Sequence, residues 1–307
     1  MSYTVVTIGN FDGVHRGHRA LLEAARAAAG DAGRVIAITF DPLPRHVLLD
    51  TSPGLLTTLQ RRQSLLKHYG ADEVHVAAID QRWLRQDAET FVNELVARWS
   101  PSVIVEGPDF RFGRDRAGDI ELLASLGQSH GFDVQVIEPV QAPLTTQVPV
   151  PVRSSQIRWL LEHGRVSDAA CLLGRPWRLE GPVVSGEQRG RTLACPTANL
   201  DHGDLLLPAD GVYAGLAKCP GGVFPSAISI SDKPTFDRTP RLAEAHLIGW
   251  AGPMDVYGWH LEIDLLYWVR DQIRFDGVEG LQAQIARDIA EVSSLLSGVV
   301  GSTLTES

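Results

Sequence analysis

A glycine-rich turn near the amino terminus separates a strand-like segment from a helix-like one. Apolar and β-branched residues occupy positions 5–8 before the turn, and a leucine- and alanine-rich stretch follows it from residue 20. This order is typical of an open α/β sheet, in which ligands bind beyond the carboxyl ends of the strands. Gly9, Gly13 and Gly17 let the backbone approach a ligand, and the helix start presents free N–H groups to an anion. The segment therefore predicts a site for phosphate groups.

Two histidines in this turn, His15 and His18, add ring donors three residues apart at the start of the helix. We interpret them as groups that stabilise charge on bound phosphates. Two alternatives stay open: the histidines cap the helix while the glycines form a tight turn, or they bind a metal ion. The metal is the weaker alternative, because two imidazoles without a nearby acidic or thiol partner make a poor closed site.

The composition limits the class of protein. With 307 residues, 44% of them hydrophobic, the chain can form two soluble domains that each bury a core. We expect a cytoplasmic protein without membrane contact, because no apolar run reaches the roughly 18–20 residues that span a bilayer and no signal pattern is present. The net charge of −9 argues against broad binding to nucleic acid. Cys171, Cys195 and Cys219 are too widely spaced for a zinc site and are expected to be reduced thiols.

Apolar runs alternate with helical patterns up to residue 174. This alternation predicts a parallel sheet with right-handed crossovers and helices on both faces. The second predicted helix opens with Thr57, and Gln60 follows three residues later in capping-box spacing. The predicted strands are 3–9, 34–40, 73–79, 102–107 and 133–140, and the predicted helices are 18–30, 58–70, 87–100 and 118–131, before two short helices that end near Gly174.

After residue 174 the pattern changes to short strand-like runs separated by Gly, Pro, Asp and Asn. Their regular spacing predicts a small antiparallel barrel or sandwich. The segment 278–297 is predicted to be a helix whose core-facing stripe includes Val278, Val292 and Leu296. We therefore predict two domains, 1–174 and 175–307. The predicted strands of the second are 177–184, 192–199, 211–218, 225–231, 242–249 and 260–269.

Three later segments of the first domain are candidates for the same crevice. Asp41 follows the second predicted strand and could hold a ribose, Mg²⁺ or a backbone turn. Two phenylalanines flank Arg111 after the fourth strand, which suits a flat anionic ligand, although the rings could instead pack under the loop. Ser154 and Ser155 could be simple N-caps, and Arg158, one turn into the helix, could clamp a phosphate through two hydrogen bonds.

The stretches VTIGNFDGVHRGH, TFDP, EGPDFRFGR and SSQIR resemble, in order and spacing, signature blocks of the adenylyltransferase half of bacterial bifunctional FAD synthetases. The resemblance implies a nucleotidyltransferase domain in which the phosphate of FMN attacks the α-phosphorus of ATP. It implies four contacts to the ATP phosphates, from His15, His18, Ser155 and Arg158. It implies further nucleotide or flavin contacts from Gly9, Phe11, Asp12, Gly13, Gly17, Asp41, Asp109, Phe110, Arg111 and Ser154.

In the second domain, Thr197 and Asn199 stand two residues apart in an extended segment and therefore point the same way. Oxygen ligands of this kind suit Mg²⁺ bound together with phosphates and water. An ordinary turn with Asn199 in the left-handed conformation is the alternative.

Glu244 is a candidate general base. If Ala243, Ala245 and Leu247 face the core, then Glu244 and His246 face the opposite side of the strand. A carboxylate on a barrel face could accept a proton from a substrate hydroxyl. The alternative is a solvated strand residue.

The stretches GxxRGRxxxxPTANL, PADGVYAG, KPTF, EAHL, DVYG and VRDQIRFD resemble the riboflavin kinase module of the same enzymes. The resemblance implies that Thr197 and Asn199 bind Mg²⁺ with ATP and that Glu244 deprotonates the ribityl 5′-hydroxyl. It also implies a phosphate-wrapping segment and a flavin-side loop, which contain Gly186, Arg189, Gly190 and Arg191, and Arg270 and Phe275.

Several positions depart from the family pattern. Leu43 stands where many relatives carry a histidine, and Arg153 replaces a hydroxyl residue while keeping positive charge near the phosphates. Ala194 and Cys195 replace a glycine–aromatic pair. Ser231 stands where relatives have glycine, which costs about 1 kcal/mol if that position needs positive φ.

We therefore expect a bifunctional enzyme that makes FMN from riboflavin and ATP, then FAD and pyrophosphate from FMN and ATP, with Mg²⁺ as its metal. The alternatives are that only one half is active, or that the chain is a non-catalytic flavin-binding regulator. We expect small-molecule partners only, and a monomer or weak homo-oligomer.

Overall fold

The computed structural model describes residues 3–48, 53–186, 195–231, 241–252 and 256–299. Chain contacts divide the chain into two compact units. The first contains Met1–Pro53, Thr57–Pro143 and Pro149–Ser154, and the second contains Gly54–Leu56, Leu144–Val148 and Ser155–Ser307. These units are defined by contacts alone, so a functional boundary near residue 174 stays a prediction.

The first unit is built on a five-stranded parallel sheet with helices on both faces, as predicted. The strands stand in the order β3-β2-β1-β4-β5. They are β1 (Thr4–Ile8), β2 (Arg34–Asp41), β3 (Glu73–Ala78), β4 (Val103–Glu106) and β5 (Asp133–Val136), and a separate antiparallel pair is formed by β6 (Gln141–Pro143) and β7 (Pro149–Pro151). The helices are α1 (Arg16–Ala29), α2 (Pro44–Leu48), α3 (Leu59–His68), α4 (Gln81–Leu84), α5 (Ala88–Trp99) and α6 (Ile120–His130).

Both faces of this sheet are buried, because alternate side chains of each strand point to opposite sides. On one face, Val5 and Val35 pack in a cluster with Leu22 of α1 and Leu66 of α3. On the other face, side chains one position along the strands are fully buried, namely Val6, Ile36 and Ile104. Strands buried on both faces explain why the sequence shows continuous apolar runs rather than alternation.

The strand order reverses between β1 and β4, which pair in parallel through Val5 with Val103 and Val6 with Ile104. The chain leaves β1 towards β2 on one side, whereas β4 lies on the other side. A crevice at the carboxyl ends of the strands is expected at such a point, and the glycine-rich turn follows β1 there.

The second unit contains a closed antiparallel barrel, which resolves the predicted choice between barrel and sandwich. The strands pair in the order β10-β11-β12-β9-β8-β13, and β13 pairs with β10 to close the ring. They are β8 (Trp177–Val184), β9 (Ala198–Leu200), β10 (Gly211–Cys219), β11 (Gly222–Ser231), β12 (Leu242–Leu247) and β13 (His260–Arg270). The remaining helices are α7 (Ser154–Glu162), α8 (Val166–Leu173) and α9 (Val278–Leu296).

Helix α9 packs its carboxyl-terminal half on the barrel. Val292 and Leu296 are fully buried against Ala214 and Leu216 of β10. The prediction that Val278 faces the core is wrong, because this residue is 61% exposed at the first turn of the helix. The apolar stripe therefore meets the barrel only further along α9.

The N-cap predicted for the second helix is also wrong by one residue. Thr58 caps α3, and its hydroxyl accepts a hydrogen bond from the Arg61 amide at 3.1 Å. Thr57 is turned instead towards the glycine-rich turn, where its hydroxyl accepts from the Gly13 amide at 3.2 Å. Both residues can cap a helix, and a contact distant in sequence decides between them.

Candidate functional sites

The turn after β1 has a strained backbone supported by buried side chains. Phe11 and Val14 have φ angles of 47° and 36°, in the left-handed region that non-glycine residues rarely adopt. Both side chains are fully buried, and a Cβ on Gly9 would lie 3.4 Å from the Phe11 ring. Strain of about 1–3 kcal/mol per residue persists only where packing over-determines it, which is typical of binding sites.

His15 and His18 lie together on this turn. Their rings stack with centroids 3.6 Å apart and planes 14° apart. Nδ1 of His15 accepts a hydrogen bond from the His18 amide at 3.3 Å, which makes His15 the N-cap of α1. A neutral His15 ring therefore carries its proton on Nε2, where it can donate to an anion. The structure therefore confirms the capping alternative for the Nδ1 atom of His15.

Gly17 packs closely against the His15 ring. A Cβ at Gly17 would lie 3.2 Å from the ring atoms Nδ1 and Cε1 and 3.5 Å from the Val152 carbonyl. In the part of the chain that the structure describes, no group of three or more His, Cys, Asp or Glu side chains is placed to hold a metal ion.

Asp12, predicted to contact a substrate, directs its carboxylate to protein groups. It is 2% exposed and accepts from the Thr57 amide at 3.2 Å and from Arg45 Nη2 at 2.8 Å. The Asp12 carbonyl accepts from the Ser154 hydroxyl at 2.8 Å. Asp12 and Ser154 therefore shape the turn, and Arg45 and Thr57 are supporting residues that the sequence reasoning missed.

The other predicted residues of this unit lie on more exposed positions. Asp41 is exposed at the end of β2, and Arg111 is exposed and donates to the Phe110 carbonyl at 3.0 Å. Asp109 forms a loose ion pair with Arg153 at 3.9 Å. Two positions that depart from the family pattern lie in different environments. Arg153 is a surface cation, whereas Leu43 is 1% exposed and packs in the core.

An aromatic row crosses the same unit from β2 to the loop after β4. Phe40 contacts Trp83 at a centroid distance of 5.3 Å, and Trp83 contacts Phe91 at 5.9 Å. Phe112 lies 5.5 Å from Phe91 and stacks on Phe110, also at 5.5 Å. Phe110 is half-buried, so it packs in this row while part of the residue stays accessible to solvent. Only the last two rings were singled out from the sequence.

Ser155 and Arg158 belong to the second compact unit. Ser155 is exposed on α7, whereas Arg158 is 7% exposed and its Nε donates to the Gly54 carbonyl at 3.2 Å. Their predicted contacts with ATP phosphates stay predictions.

On the barrel, Thr197, Asn199 and Glu244 meet on one face. Ala243 and Ala245 are fully buried, so Glu244 projects to the opposite side of β12, as expected. Glu244 pairs across strands with Asn199, and the Thr197 hydroxyl lies 3.4 Å from Glu244 Oε2. Two oxygen donors and a carboxylate are thus brought together from two strands distant in sequence.

Asn199 has an unusual environment for a polar side chain. It is 8% exposed, and its Oδ1 has no hydrogen-bond partner among the residues that the structure describes. A Cβ on Gly186 would come within 2.2 Å of Asn199 Nδ2, so the glycine makes room for the amide. An orphaned buried oxygen beside a threonine hydroxyl and a carboxylate fits a divalent cation such as Mg²⁺. Arg189, Gly190 and Arg191 lie outside the described residues.

A cavity of about 120 Å³ lies beside Thr197. Three aromatic residues, Trp250, Tyr257 and Trp259, line it together with His246, whose Nδ1 bonds to the Pro196 carbonyl at 2.9 Å. Because a carbonyl only accepts, this His246 nitrogen is the donor. Sequence reasoning did not single out either tryptophan, although Trp259 directly follows the recognised DVYG stretch.

The two residues predicted for the flavin-side loop lie at the end of β13 and in the segment before α9. Arg270 binds Asp288 of α9 through two hydrogen bonds of 2.9 and 2.6 Å, and Phe275 is half-buried before the helix. Ser231 lies in β11 opposite Leu242 and is not among the described residues with positive φ, so the strain considered for it does not arise.

Comparison with known proteins agrees with this architecture. A family model described as FAD synthetase matches residues 1–147, and one described as riboflavin kinase matches residues 173–296. A bifunctional riboflavin kinase/FMN adenylyltransferase of Escherichia coli K12 is 35% identical over 295 residues, which cover 92% of this chain and 90% of the relative. The enzyme of the same name from Pseudomonas fluorescens is 34% identical, covering 95% and 92%.

A solved structure from Streptococcus pneumoniae, described as a macrolide-efflux protein, superposes with a TM-score of 0.82 at 28% identity, covering 94% of this chain and 93% of that one. Within the described ranges of the present chain, no helix is long and apolar enough to cross a membrane. From the two family matches and the identity over nearly the whole length, the chain belongs to the bifunctional riboflavin kinase/FMN adenylyltransferase family.

Proposed function

We propose that the two activities use separate ATP sites, one at the His15–His18 turn and one around Thr197, Asn199 and Glu244. The observation that carries this proposal is the presence of two unlike phosphate-compatible constellations, one in each family match. The first offers imidazole and helix N-terminal donors, and the second offers neutral oxygens beside a carboxylate.

In the adenylyltransferase half, a phosphate oxygen of FMN attacks the α-phosphorus of ATP, and pyrophosphate leaves. No covalent enzyme intermediate is needed, so positioning and charge neutralisation supply the rate. Nε2 of His15 donates to a phosphate oxygen, and the stacked His18 ring adds a second contact. The aromatic row ending at Phe110 provides flat surfaces for the flavin.

In the kinase half, the oxygen of the ribityl 5′-hydroxyl attacks the γ-phosphorus of ATP, and ADP leaves. Glu244 accepts the proton of that hydroxyl during the attack. Thr197 and Asn199 would hold Mg²⁺, which when bound neutralises charge on the phosphates. The cavity beside Thr197, with its tryptophans, suits a flat ring of one of the two substrates.

We also propose a domain boundary, a metal, a cellular location, an oligomeric state and a class of partners. We place the functional boundary near residue 174, which agrees with a second family match that begins at residue 173. We further propose Mg²⁺ as the metal, a cytoplasmic location, a monomer or weak homo-oligomer, and no nucleic-acid partner, in keeping with the net charge of −9.

Product analysis of two variants tests the site assignment. Purified chain is incubated with ATP, Mg²⁺ and either riboflavin or FMN, and FMN and FAD are resolved over time. H18A should lose FAD formation by about 10²-fold or more and keep FMN formation. E244Q should lose FMN formation by about 10²–10⁴-fold and keep FAD formation from supplied FMN.

Exposed residues of the same type serve as matched controls: H130A on α6 and E279Q on α9 should leave both activities unchanged. If H18A or E244Q kept both activities near the unmodified level, the role given to that residue would be wrong.

A further inference from the structure

Two buried ionisable side chains lie next to the start of the glycine-rich turn, and the proposed chemistry does not use them. Glu106, the last residue of β4, is 3% exposed, and Arg62 of α3 is 0% exposed. Charged residues are almost never fully buried without a specific partner. Their contacts therefore indicate what keeps them there.

Glu106 holds the end of β1. The pairing register of β1 and β4 ends at Val6 with Ile104, so Ile8 reaches beyond the paired part of the two strands. At this point Glu106 Oε1 accepts the Ile8 amide at 2.5 Å. The carboxyl group thus takes the place of a backbone acceptor in the crevice where the strands separate, one residue before Gly9.

The protonation state of Glu106 follows from its surroundings. Burial raises the pKa of its carboxyl group well above the ordinary value of 4.5, the charge of Asp109 adds to this rise, and the Ile8 hydrogen bond opposes it. A neutral acid still accepts through one oxygen. The contact to Ile8 therefore needs an acceptor and not a negative charge.

Arg62 holds the next part of the turn. Its Nη1 donates to the Asn10 carbonyl at 3.0 Å and to the Phe40 carbonyl at 3.1 Å. The Thr39 hydroxyl donates to the same Asn10 oxygen at 3.1 Å. Asn10 is thereby fixed to the end of β2, as Ile8 is fixed to the end of β4.

We propose that Glu106 and Arg62 are positioning residues for adenylyl transfer. They fix the backbone of Ile8–Asn10 from opposite sides, and this segment sets the path of the turn that carries His15 and His18. This inference rests on the proposed role of the two histidines. Neither side chain touches substrate; both act through the turn, whose geometry must be correct before ATP binds.

Steady-state kinetics of four variants test the proposal, with the kinase activity of the same chain as an internal control. E106L removes the acceptor at similar size and should lower kcat/KM for ATP in FAD formation by at least about tenfold, with FMN formation within about twofold. E106Q restores the acceptor and should recover most of that loss. R62M should resemble E106L, and R62K should recover part of the loss by restoring one donor.

L123A, a fully buried residue of α6, controls for general loss of stability in this unit. It should lower the melting temperature without a matching fall in kcat/KM for ATP. If E106L or R62M is too unstable for kinetics, amide hydrogen exchange of Ile8–Asn10 replaces the kinetic assay. It is measured in the unmodified chain and in E106Q, and slow exchange is expected in both.

Three results would overturn the inference: E106L within about twofold of the unmodified enzyme in FAD formation, E106Q as impaired as E106L, or rapid exchange of the Ile8 amide. H18A separates this inference from the assignment on which it rests. If H18A abolishes FAD formation while E106L does not, only the positioning role fails, whereas an active H18A enzyme refutes the histidine assignment itself.

Discussion

His15 accepts a hydrogen bond from the backbone amide of His18 while the two imidazole rings stack 3.6 Å apart, so the residue that caps helix α1 is also the one that we propose as a phosphate donor. Capping fixes which ring nitrogen carries the proton, and stacking fixes the ring plane. The same side chain thus carries the helix-capping contact and the proposed phosphate contact, so the capping interpretation and the binding interpretation are compatible.

Substitution of Gly17 by alanine should damage adenylyl transfer. The new Cβ would lie 3.2 Å from the His15 ring, so the ring must move or the turn must shift. We expect FAD formation to fall by about tenfold or more, since displaced catalytic donors lose most of their effect. FMN formation should not change. G280A, also near the start of a helix but with an ordinary 3.7 Å contact, is the control, and equal rates of FAD formation in G17A and G280A would contradict the prediction.

Substitution of Gly186 by alanine should damage the kinase. Its Cβ would meet Asn199 Nδ2 at 2.2 Å and would displace the amide from Thr197 and Glu244. The KM for Mg²⁺-ATP in FMN formation should rise by about tenfold, while FAD formation from supplied FMN stays constant. G277A, where nothing lies within 4 Å of the new Cβ, should be neutral. An unaltered KM in G186A would show that Asn199 does not contact Mg²⁺-ATP.

Glu106 should make stability fall as pH rises. Its folded-state pKa lies above the ordinary value of 4.5, so from about pH 4.5 up to the folded pKa the native state keeps a proton that the unfolded state has lost. The contribution of this group to the free energy of unfolding therefore decreases by about 1.4 kcal/mol per pH unit over that range. Urea unfolding of the unmodified chain and of E106Q at pH 5, 6 and 7 measures it, and E106Q should gain relative stability as the pH rises towards the raised pKa of Glu106. A pH-independent difference would contradict the raised pKa.

Loss of Asp288 should destabilise the barrel. Arg270 and Asp288 are 17% and 7% exposed and form two hydrogen bonds between β13 and α9. Removing the charge in D288N leaves a largely buried guanidinium without its counter-ion, for an expected loss of about 3 kcal/mol. E23Q, which breaks the exposed Arg19–Glu23 pair, should cost no more than about 1 kcal/mol. Thermal unfolding of both variants compares them, and similar losses would contradict the structural role of Asp288.

The sequence predicts well those features that depend on short-range patterns. The alternation of strands and helices, five of the six barrel strands and the glycine-rich turn all follow from local periodicity and residue type, and the structure confirms them. The strand predicted over 192–199 is wrong in its bounds, because β9 spans Ala198–Leu200, residues 195–197 lie outside it, and 192–194 are outside the described residues. Residue type and spacing also predicted that Thr197 and Asn199 lie together near Glu244, which the structure shows, whereas their binding of Mg²⁺ stays a prediction.

Contacts between distant parts of the chain explain most of what was missed. Glu106 reaches Ile8 across 98 positions, and Asp12 reaches Thr57 across 45, so no local pattern shows that either carboxyl group supports the turn. A hydrogen bond from the Gly13 amide, 44 positions away, likewise holds the Thr57 hydroxyl at the glycine-rich turn instead of at the predicted cap. Val278 is exposed because helical periodicity indicates which face is apolar and not where a barrel surface ends.

Equilibrium binding of a non-hydrolysable ATP analogue with Mg²⁺, measured by isothermal titration calorimetry, tests the claim of two separate ATP sites most directly. We expect two analogue molecules per chain. The double variant T197A/N199A should bind one, and H15A/H18A should bind one with the properties of the other site. A single site in the unmodified chain, or loss of both sites in either double variant while the chain stays folded, would contradict the account.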